Sequence, residues 1–280
     1  MILDGKKIKN IILDEIKDEV SQMSTKLKLV VIQVGDDTAS NVYIKQKINM
    51  CNYVGYDCEH IKLDDVDTDY LINLINNLNN DNNVTGILVQ LPLPDNIDKD
   101  RVLNLISYLK DVDGLTDINR NRLINGDEGL FPCTPLGVME LFSRYDISVN
   151  GKNVVIVGRS NLVGKPLEIM IKDSGANVMV CHSKTDDLSK YTREADIIIS
   201  AVGKPKLITN DMISEDVVLI DVGITKVNDV ICGDVDYESV KEKCSYITPV
   251  PGGIGPMTIA MLAKNILKAY KMKDTGNFNY

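Results

Sequence analysis

The chain has 280 residues, of which 44% are hydrophobic, and this is enough for one large domain or two ordinary domains with buried cores. Its net charge of −9 argues against a nucleic-acid partner, because binding to phosphates needs a basic surface. The six cysteines form no C-x-x-C pair and there are only two histidines, so we expect free, mostly buried thiols and no metal site.

A first helix is predicted over residues 5–23. One apolar stripe along it is expected to pack on a sheet, formed by Ile8, Ile11, Ile12, Ile16 and Val20. Charged residues occur throughout this segment and no small-residue cleavage site follows it, which is not the pattern of a signal peptide. No apolar run reaches the length of a membrane span. We therefore expect a cytoplasmic protein with no membrane partner.

An apolar, β-branched run over residues 27–35 predicts a strand, and the segment after it has helical spacing, with a Thr/Ser start signal and Gly55 at its end. This helix carries Tyr43 and Lys47, which are four residues apart and therefore share one face. At the carboxyl end of a strand, such a phenol and ammonium can both reach a ligand. Taken alone, the pair is more typical of a solvated helix face, so its weight depends on the stretches that follow.

The next predicted elements are a strand at residues 56–63, a helix near 68–80, a strand at 85–94 and a helix near 99–109. Gln90 interrupts the apolar run of the second strand just before Leu91 and Pro92, so its amide is expected near the carboxyl edge of the sheet. Asp113 precedes Gly114 in a turn that can aim the carboxylate into a cleft. A carboxylate bonded to its own backbone is an equally good interpretation of this turn.

A proline-containing stretch and a helix after residue 131 predict a link to a second lobe. That lobe opens with the strand NVVIV, a turn with Gly158, Ser160 and Gly164, and a helix. In such a unit the exposed N–H groups at the helix start bind a pyrophosphate. Ser160 occupies the place of the second glycine in G-x-G-x-x-G, so the prediction rests on the order of strand, turn and helix.

The next strand ends in His182, Ser183 and Lys184, where an enzyme that uses NAD offers an acidic residue to the ribose. Together with Arg159 these side chains make a positive, hydroxyl-bearing pocket suited to a 2′-phosphate. The pattern favours NADP over NAD, with ordinary basic surface residues as the alternative.

Two further strands are predicted at 195–203 and 217–224, and both end in turns that contain glycine. Gly203 and Gly223 can bring the backbone close to a nicotinamide ribose. The stretch TPVPGGIGPMT then places prolines and glycines before the last helix. A rigid loop of this kind either lies against a ligand or only starts the helix.

Seven stretches occur in a fixed order: YIKQK, QLPLP, KDVDG, PCTPLG, GRSNLVGKP, CHSKT and TPVPGGIGPMT. With them the chain resembles the bifunctional methylenetetrahydrofolate dehydrogenase/methenyltetrahydrofolate cyclohydrolase family, from about residue 4 to about residue 270. One departure is Asn121, where the family tends to have glycine. Since Asn tolerates a left-handed backbone, we expect the turn there to survive.

The resemblance implies an α/β fold with two lobes, joined by helices with a cleft between them. Residues 1–145 would form a folate-binding catalytic domain, on which a C-terminal helix at about 256–280 packs back, and 146–255 a Rossmann-type NADP-binding domain. The implied reaction oxidises 5,10-methylenetetrahydrofolate with NADP and then hydrolyses the methenyl product to 10-formyltetrahydrofolate. The implied partners are tetrahydrofolate derivatives and a second copy of the chain, in a homodimer through the second lobe.

The resemblance also implies roles for single residues. Tyr43 orients the folate, Lys47 activates water, Gln90 holds Lys47, and Asp113 anchors the pterin. The other implied substrate-binding residues are Leu91, Pro92, Pro251, Gly252, Gly253 and Thr258. The implied cofactor-binding residues are Gly158, Arg159, Ser160, Val163, Gly164, His182, Ser183, Ala201, Val202, Gly203, Gly223 and Ile224.

Three alternatives remain open from the sequence. The chain could be a dehydrogenase without hydrolytic activity, because the sequence does not show a lowered pKa for Lys47. It could be a dinucleotide-dependent sensor, although the joint presence of Tyr43, Lys47, Gln90 and Asp113 argues against this. It could be a two-lobed NADP enzyme of another substrate, such as a shikimate-type dehydrogenase, which leaves QLPLP and PGGIGPMT unexplained.

Overall fold

The computed structural model describes residues 1–228 and 230–274, which form two compact units. One unit, which we call the three-stranded unit, comprises residues 10–133 and the described residues from 259 onward. The other, which we call the five-stranded unit, comprises residues 1–9 and the described residues of 134–258. Each unit contains a parallel sheet.

The first half of the chain alternates helices and strands. Its elements are α1 (Gly5–Ser21), β1 (Lys28–Val34), α2 (Thr38–Val54), β2 (Asp57–Leu63), α3 (Thr68–Asn80), β3 (Gly86–Val89), α4 (Lys99–Leu105), α5 (Asp117–Asn125) and α6 (Cys133–Arg144). The three strands pair in parallel in the order β2-β1-β3. Because β1 is central, it is buried almost throughout, as the largely apolar run of its sequence predicts.

One cluster of the hydrophobic core packs on one face of this sheet. Val30 and Ile32 of β1 and Ile87 of β3 pack there with Leu71 and Ile75. The last two are four residues apart on α3, so they project from one face of that helix. This packing fixes the carboxyl ends of β1 and β3, from which the candidate site is built.

Two details of the first helices differ from the prediction. Ile11 of α1 is exposed, because the buried face of this helix extends towards Leu13 instead. The start of α2 is capped by Asp37, whose carboxylate accepts the N–H of Ser40 at 2.7 Å, and not by a Thr/Ser signal. Gly55 ends α2 with φ +90°, as predicted.

The prediction of a left-handed turn at Asn121 is wrong. This residue lies inside α5, where the backbone is helical and needs no left-handed conformation. The helix is capped by Thr116, which accepts the N–H of Asn119, and it ends at Gly126 with φ +73°. The left-handed residue of this segment is therefore the glycine five positions after Asn121.

The second half of the chain forms the larger sheet. Its elements are β4 (Asn153–Val157), α7 (Gly164–Asp173), β5 (Asn177–Cys181), α8 (Leu188–Thr192), β6 (Ile197–Ser200), a 3₁₀ helix (Asn210–Met212), β7 (Val217–Asp221), β8 (Thr225–Val227), β9 (Val230–Cys232), α9 (Tyr237–Val240), β10 (Cys244–Ile247) and α10 (Ile254–Asp274). Five strands pair in parallel in the order β10-β7-β6-β4-β5, while β8 and β9 form an antiparallel hairpin.

The strand order of this sheet reverses at β4. From β4 the chain runs to the edge strand β5 and then to β6 on the other side of β4. Open parallel sheets bind their ligands beyond the carboxyl ends of the strands at such a reversal. The predicted α/β class with two lobes is confirmed, and α1, α6 and α10 each contain residues of both units.

Candidate active site

Lys47 and Gln90 are joined by a hydrogen bond in the three-stranded unit. Nζ of Lys47 donates to Oε1 of Gln90 over 2.9 Å. Gln90 is held in turn, because its backbone N–H donates to the carbonyl of Ile32 on β1 and its Nε2 to the carbonyl of Leu91. The amide at the end of β3 therefore has a fixed orientation, and it presents its oxygen to the lysine of α2.

Burial lowers the pKa of the Lys47 ammonium. The nearby acidic groups, first of all Asp113, act in the opposite direction but do not cancel the effect of burial. At neutral pH such a lysine has a larger fraction of neutral amine than a solvated one has, and only the neutral amine accepts a proton. The site therefore contains a side chain that can serve as a general base.

Tyr43 lies one helical turn before Lys47, and its ring is exposed. The strand end opposite this helix continues into Leu91 and Pro92, and the peptide bond between them is cis. The hydroxyl of Ser40 donates to the carbonyl of Leu91, which connects the start of α2 with this strand end. A phenol ring, an amine and a polar strand end thus occur together within the three-stranded unit.

The turn that carries Asp113 is organised by a different carboxylate. Asp111 is buried and accepts the N–H groups of Leu115 and Thr116 at 3.0 and 2.9 Å, together with Nδ2 of Asn119 at 2.9 Å. The interpretation of a carboxylate bonded to its own turn therefore applies to Asp111. Asp113 is half-buried, and its charge acts on Lys47.

Asn265 on α10 is a residue of this region that the sequence did not reveal. Its Nδ2 donates to the carbonyls of Val112 and Phe131 at 2.8 and 2.9 Å. The backbone of Phe131 is also packed against Gly114, where an added Cβ would stand 2.3 Å from it. The segments around Asp113 are therefore tied to α10. The available signal was a single amide in the apolar run IAMLAKNIL.

The turn after β4 in the five-stranded unit is tightly packed. Gly158 has φ +120°, and a Cβ there would lie 2.6 Å from the carbonyl oxygen of Ala201. A Cβ on Gly164 would lie 2.2 Å from the carbonyl oxygen of Gly158. Oγ of Ser160 accepts the N–H groups of Val163 and Gly164 at 3.2 and 3.4 Å. The serine that replaces the second glycine thus stabilises the turn into α7.

Strands β4 and β5 end side by side, because Val157 pairs with Cys181. The turns that follow place Arg159 and His182 at the same edge of the sheet. Arg159 and Ser183 are exposed, and Nδ1 of His182 accepts a hydrogen bond from the backbone N–H two residues ahead. A guanidinium and a hydroxyl therefore stand at the carboxyl edge beside the strand reversal.

The turns after β6 and β7 lie at the same edge. Gly203 has φ +66°, and both Val202 and Ile224 expose their side chains. Exposed apolar side chains beside glycines offer a flat surface to a ring. Together with the turn after β4, these segments surround the point at which the strand order reverses.

The loop before α10 belongs to the five-stranded unit. The bond before Pro251 is cis, Gly252 has φ +115°, and the N–H of Gly253 donates to a carbonyl four residues earlier at 2.8 Å. The hydroxyls of Thr258 and Thr134 are 3.0 Å apart. The predicted substrate-binding residues thus fall into two groups, one in each unit.

Neither a membrane-spanning helix nor a metal-binding group of His, Cys, Asp and Glu side chains occurs within residues 1–228 and 230–274. The six cysteines are free, and four of them are buried. Each buried side-chain nitrogen or oxygen in this part of the chain has a hydrogen-bond partner. Burial of these polar atoms is therefore compensated by hydrogen bonds.

Two family models match the chain. The one described as tetrahydrofolate dehydrogenase/cyclohydrolase, catalytic domain, matches residues 3–113, and the one described as the NAD(P)-binding domain of the same family matches residues 132–274. Among curated proteins, the bifunctional protein FolD of a Hydrogenobaculum species is 50% identical over 275 residues, which are 97% of this chain and 99% of that protein.

Solved structures agree with this result. The chain is similar to the bifunctional FolD enzyme of Campylobacter jejuni, with a TM-score of 0.95, 48% identity and coverage of 98% of this chain and 99% of that one. It is also similar to FolD of Trypanosoma brucei, solved with NADP and an inhibitor, with a TM-score of 0.93, 33% identity and 98% of both chains covered. The chain therefore belongs to the tetrahydrofolate dehydrogenase/cyclohydrolase family, in which one polypeptide is both an oxidoreductase and a hydrolase.

Proposed function

We propose that this chain oxidises 5,10-methylenetetrahydrofolate to 5,10-methenyltetrahydrofolate with NADP and then hydrolyses the methenyl form to 10-formyltetrahydrofolate. Family membership and the relatives named for both activities support the two steps. The observation that carries the hydrolytic step is the hydrogen bond from Lys47, an amine of lowered pKa, to Gln90.

The oxidation needs no strong base. Bound NADP would accept the hydride that a nitrogen lone pair expels from the methylene carbon, and the two nitrogens would share the positive charge of the product. The main task of the protein is to stack the one-carbon unit against the nicotinamide. We assign Tyr43 to the orientation of the folate, because its ring is exposed one helical turn from Lys47.

Hydrolysis begins with the addition of water to the methenyl carbon. The neutral Nζ of Lys47 takes one proton from the attacking water, and the ammonium returns it to the ring nitrogen as the carbon–nitrogen bond breaks. The second water proton leaves the new formyl oxygen for the solvent as the C=O bond forms. The positive charge of the substrate lowers the pKa of the lysine further. Gln90 keeps Nζ in place during these transfers.

Asp113 is assigned to binding and not to proton transfer. As a carboxylate it can accept two N–H bonds from the amino edge of the pterin, which is the bidentate arrangement that makes such bonds strong. The fixed turn around it supports this role, because Asp111 and Asn265 hold the neighbouring backbone. Leu91, Pro92 and the residues 251–253 and 258 complete the proposed folate contacts.

The cofactor site is proposed at the carboxyl edge of the five-stranded sheet. The pyrophosphate would lie at the start of α7, where backbone N–H groups of the helix are available. Arg159, His182 and Ser183 would surround the 2′-phosphate of NADP. The choice of NADP as the cofactor is supported by the relative from Trypanosoma brucei, which was solved with NADP. The nicotinamide would lie against the turns of residues 201–203 and 223–224.

The proposed domains are 1–145 with the C-terminal helix for folate, and 146–255 for NADP. We propose a homodimer through the second lobe, because β5 is an edge strand with an exposed Met179, and a second copy can pair with such an edge. Six free cysteines and an acidic surface suit a location in the reducing cytoplasm.

A paired assay tests the proposal. Methylenetetrahydrofolate is supplied with NADP or with NAD, and both the formation of the methenyl chromophore and its decay above the uncatalysed rate are followed. Formation and accelerated decay with NADP are the expected results. Formation without accelerated decay would leave a dehydrogenase and remove Lys47 from its role, and the absence of both would point to another substrate.

A further inference from the structure

Two aspartates are buried side by side at the carboxyl edge of the five-stranded sheet. Asp221 ends β7 and is 3% exposed, and Asp234 follows β9 and is 0% exposed. The two residues contact each other directly, because the backbone N–H of Asp234 donates to Oδ1 of Asp221 at 3.0 Å. Neither residue takes part in the steps proposed above.

Asp234 binds the turn that follows β6. Its Oδ2 accepts the hydroxyl of Ser200 at 2.9 Å and the N–H of Val202 at 2.8 Å, and its Oδ1 accepts the N–H of Lys204 at 2.7 Å. Both carboxylate oxygens are therefore used, and the backbone on each side of Gly203 is held.

Asp221 binds the turn that follows its own strand. Its two oxygens accept the N–H groups of Gly223 at 3.1 Å and Val235 at 2.9 Å. A Cβ on Gly223 would lie 2.1 Å from Oδ1 of Asp234, so this turn and the turn after β6 are packed on the same carboxylate. The two aspartates thus fix the distance between the two turns.

This arrangement is costly for a purely structural core. A buried carboxylate is unfavourable unless it is fully hydrogen-bonded, and burial together with the neighbouring Asp234 raises the pKa of Asp221 to about 6. Apolar residues of similar volume fill a core at lower cost. Charge-assisted bonds to backbone N–H groups instead give the turns a defined orientation.

We infer that Asp234 and Asp221 are positioning residues for the dehydrogenase step, which seat the nicotinamide half of NADP by fixing the turns that carry Val202, Gly203 and Gly223. The inference rests on the cofactor site proposed above. The inference predicts different effects on the two activities. Oxidation depends on the position of these turns, whereas hydrolysis of supplied methenyltetrahydrofolate involves no hydride transfer and does not depend on it.

The test is Asp234→Asn, which keeps the size of the side chain but turns an NH₂ group towards one of the backbone N–H donors. The rate of hydride transfer with saturating folate should fall at least about tenfold, or the KM for NADP should rise by a similar factor. Hydrolysis of supplied methenyltetrahydrofolate should stay within about twofold of the wild type. Asp236→Asn is the matched control, because that carboxylate forms a half-exposed pair with Lys206.

Ser200→Ala is a milder second variant, which removes one donor to Asp234 and leaves the carboxylate. It should lower the dehydrogenase rate by a few-fold without change in hydrolysis, and it decides the matter if Asp234→Asn does not fold. Equal losses of both activities, or no loss of either, would overturn the inference. Failure of the proposed function is recognised separately, because the wild type would then show no NADP-dependent oxidation.

Discussion

At the scale of single residues, the hydrolytic step depends on the protonation state of Lys47. Because burial lowers its pKa, the neutral amine is gained as pH rises through that lowered value and is lost as pH falls below it. The cyclohydrolase rate should therefore rise with pH, and it should level off at a lower pH than it would if the base were a solvated lysine. The pH dependence of methenyl decay measures this directly.

Lys47→Met should remove most of the hydrolysis while folate still binds. A general base contributes roughly 10²–10⁴-fold to a rate, so a loss of this order is expected in the decay of the methenyl chromophore. Lys45→Met, two positions earlier on the exposed surface of α2, is the control and should hydrolyse normally. Undiminished hydrolysis in Lys47→Met would refute the assignment of the base.

Asp113→Ala should weaken folate binding more than it changes the chemistry. Hydrogen bonds to a charged group contribute about 1.5–3 kcal/mol, which corresponds to a rise of about 10–150-fold in the KM for folate. Asp127→Ala, an exposed carboxylate after α5, should leave the KM unchanged. An unaltered KM in Asp113→Ala would move the pterin anchor elsewhere.

Arg159→Ala should lower kcat/KM for NADP far more than kcat/KM for NAD, because only NADP carries the 2′-phosphate that the guanidinium is proposed to bind. The ratio of kcat/KM for the two cofactors is the measurement. Lys190→Ala removes an exposed positive charge from α8 and serves as the control. If both cofactors were affected equally, Arg159 would have no place in the phosphate pocket.

Single residues differ in how visible they are in the sequence. Gln90 and Asp113 can be recognised because each is a polar residue directly after an apolar one. Lys47 can be recognised because it shares a helix face with Tyr43. Asp111 and Asn265 act on backbone groups, and Asn265 reaches a carbonyl 153 positions away in the chain. Such a partner is set by tertiary packing, so no local pattern predicts it.

At the scale of elements, the strands that the sequence predicts best are those that are buried along most of their length. The strands β1, β4 and β7 are largely apolar because each is buried along nearly its whole length. The hairpin of β8 and β9 was not predicted, since its strands are three residues long and expose Val227 and Val230. The cap of α2 was missed because several residues before the helix could accept its first N–H groups.

The contact of α10 with the turn of Asp113 gives a prediction for an element. Asn265→Leu keeps the volume but leaves the carbonyls of Val112 and Phe131 without their donor, which should lower the free energy of unfolding by about 1–3 kcal/mol. The KM for folate should rise as well, because the turn is loosened. Denaturant unfolding and steady-state kinetics measure the two effects.

Asn82→Ala is the control for this contact. It removes a hydrogen bond from Lys273, on the same helix, that lies at the surface. Surface substitutions of this kind stay within about 0.5 kcal/mol. A stability loss no larger in Asn265→Leu than in Asn82→Ala would show that α10 does not hold the turn through its amide.

At the scale of the whole molecule, each unit contains a buried carboxyl group whose pKa is raised to about 6, mainly by burial: Asp111 and Asp221. In the unfolded chain an aspartate has a pKa of about 3.9, so between these values the folded protein binds more protons. Their contribution to stability is therefore fully present below the unfolded pKa and is lost as pH rises through about 6.

Asp111→Asn and Asp221→Asn should reveal this linkage. Each variant lacks one titrating group, so its deficit in unfolding free energy relative to the wild type should be larger at about pH 5 than at about pH 7. Urea unfolding at the two pH values measures the difference. The repulsion from the net charge of −9 changes almost equally in wild type and variant. A deficit that is the same at both pH values would contradict the raised pKa.

The hydrogen bond between Lys47 and Gln90 has a neutral acceptor. An ammonium has three N–H groups and an amine has two, so Nζ can keep this bond whether or not it holds the transferred proton. The lone pair consequently reappears at the same place in every cycle, and the side chain needs no rotation to reset. A carboxylate at position 90 would also bind Lys47, but its negative charge would stabilise the ammonium and raise the pKa of the lysine. The neutral amide holds Nζ in place without this effect.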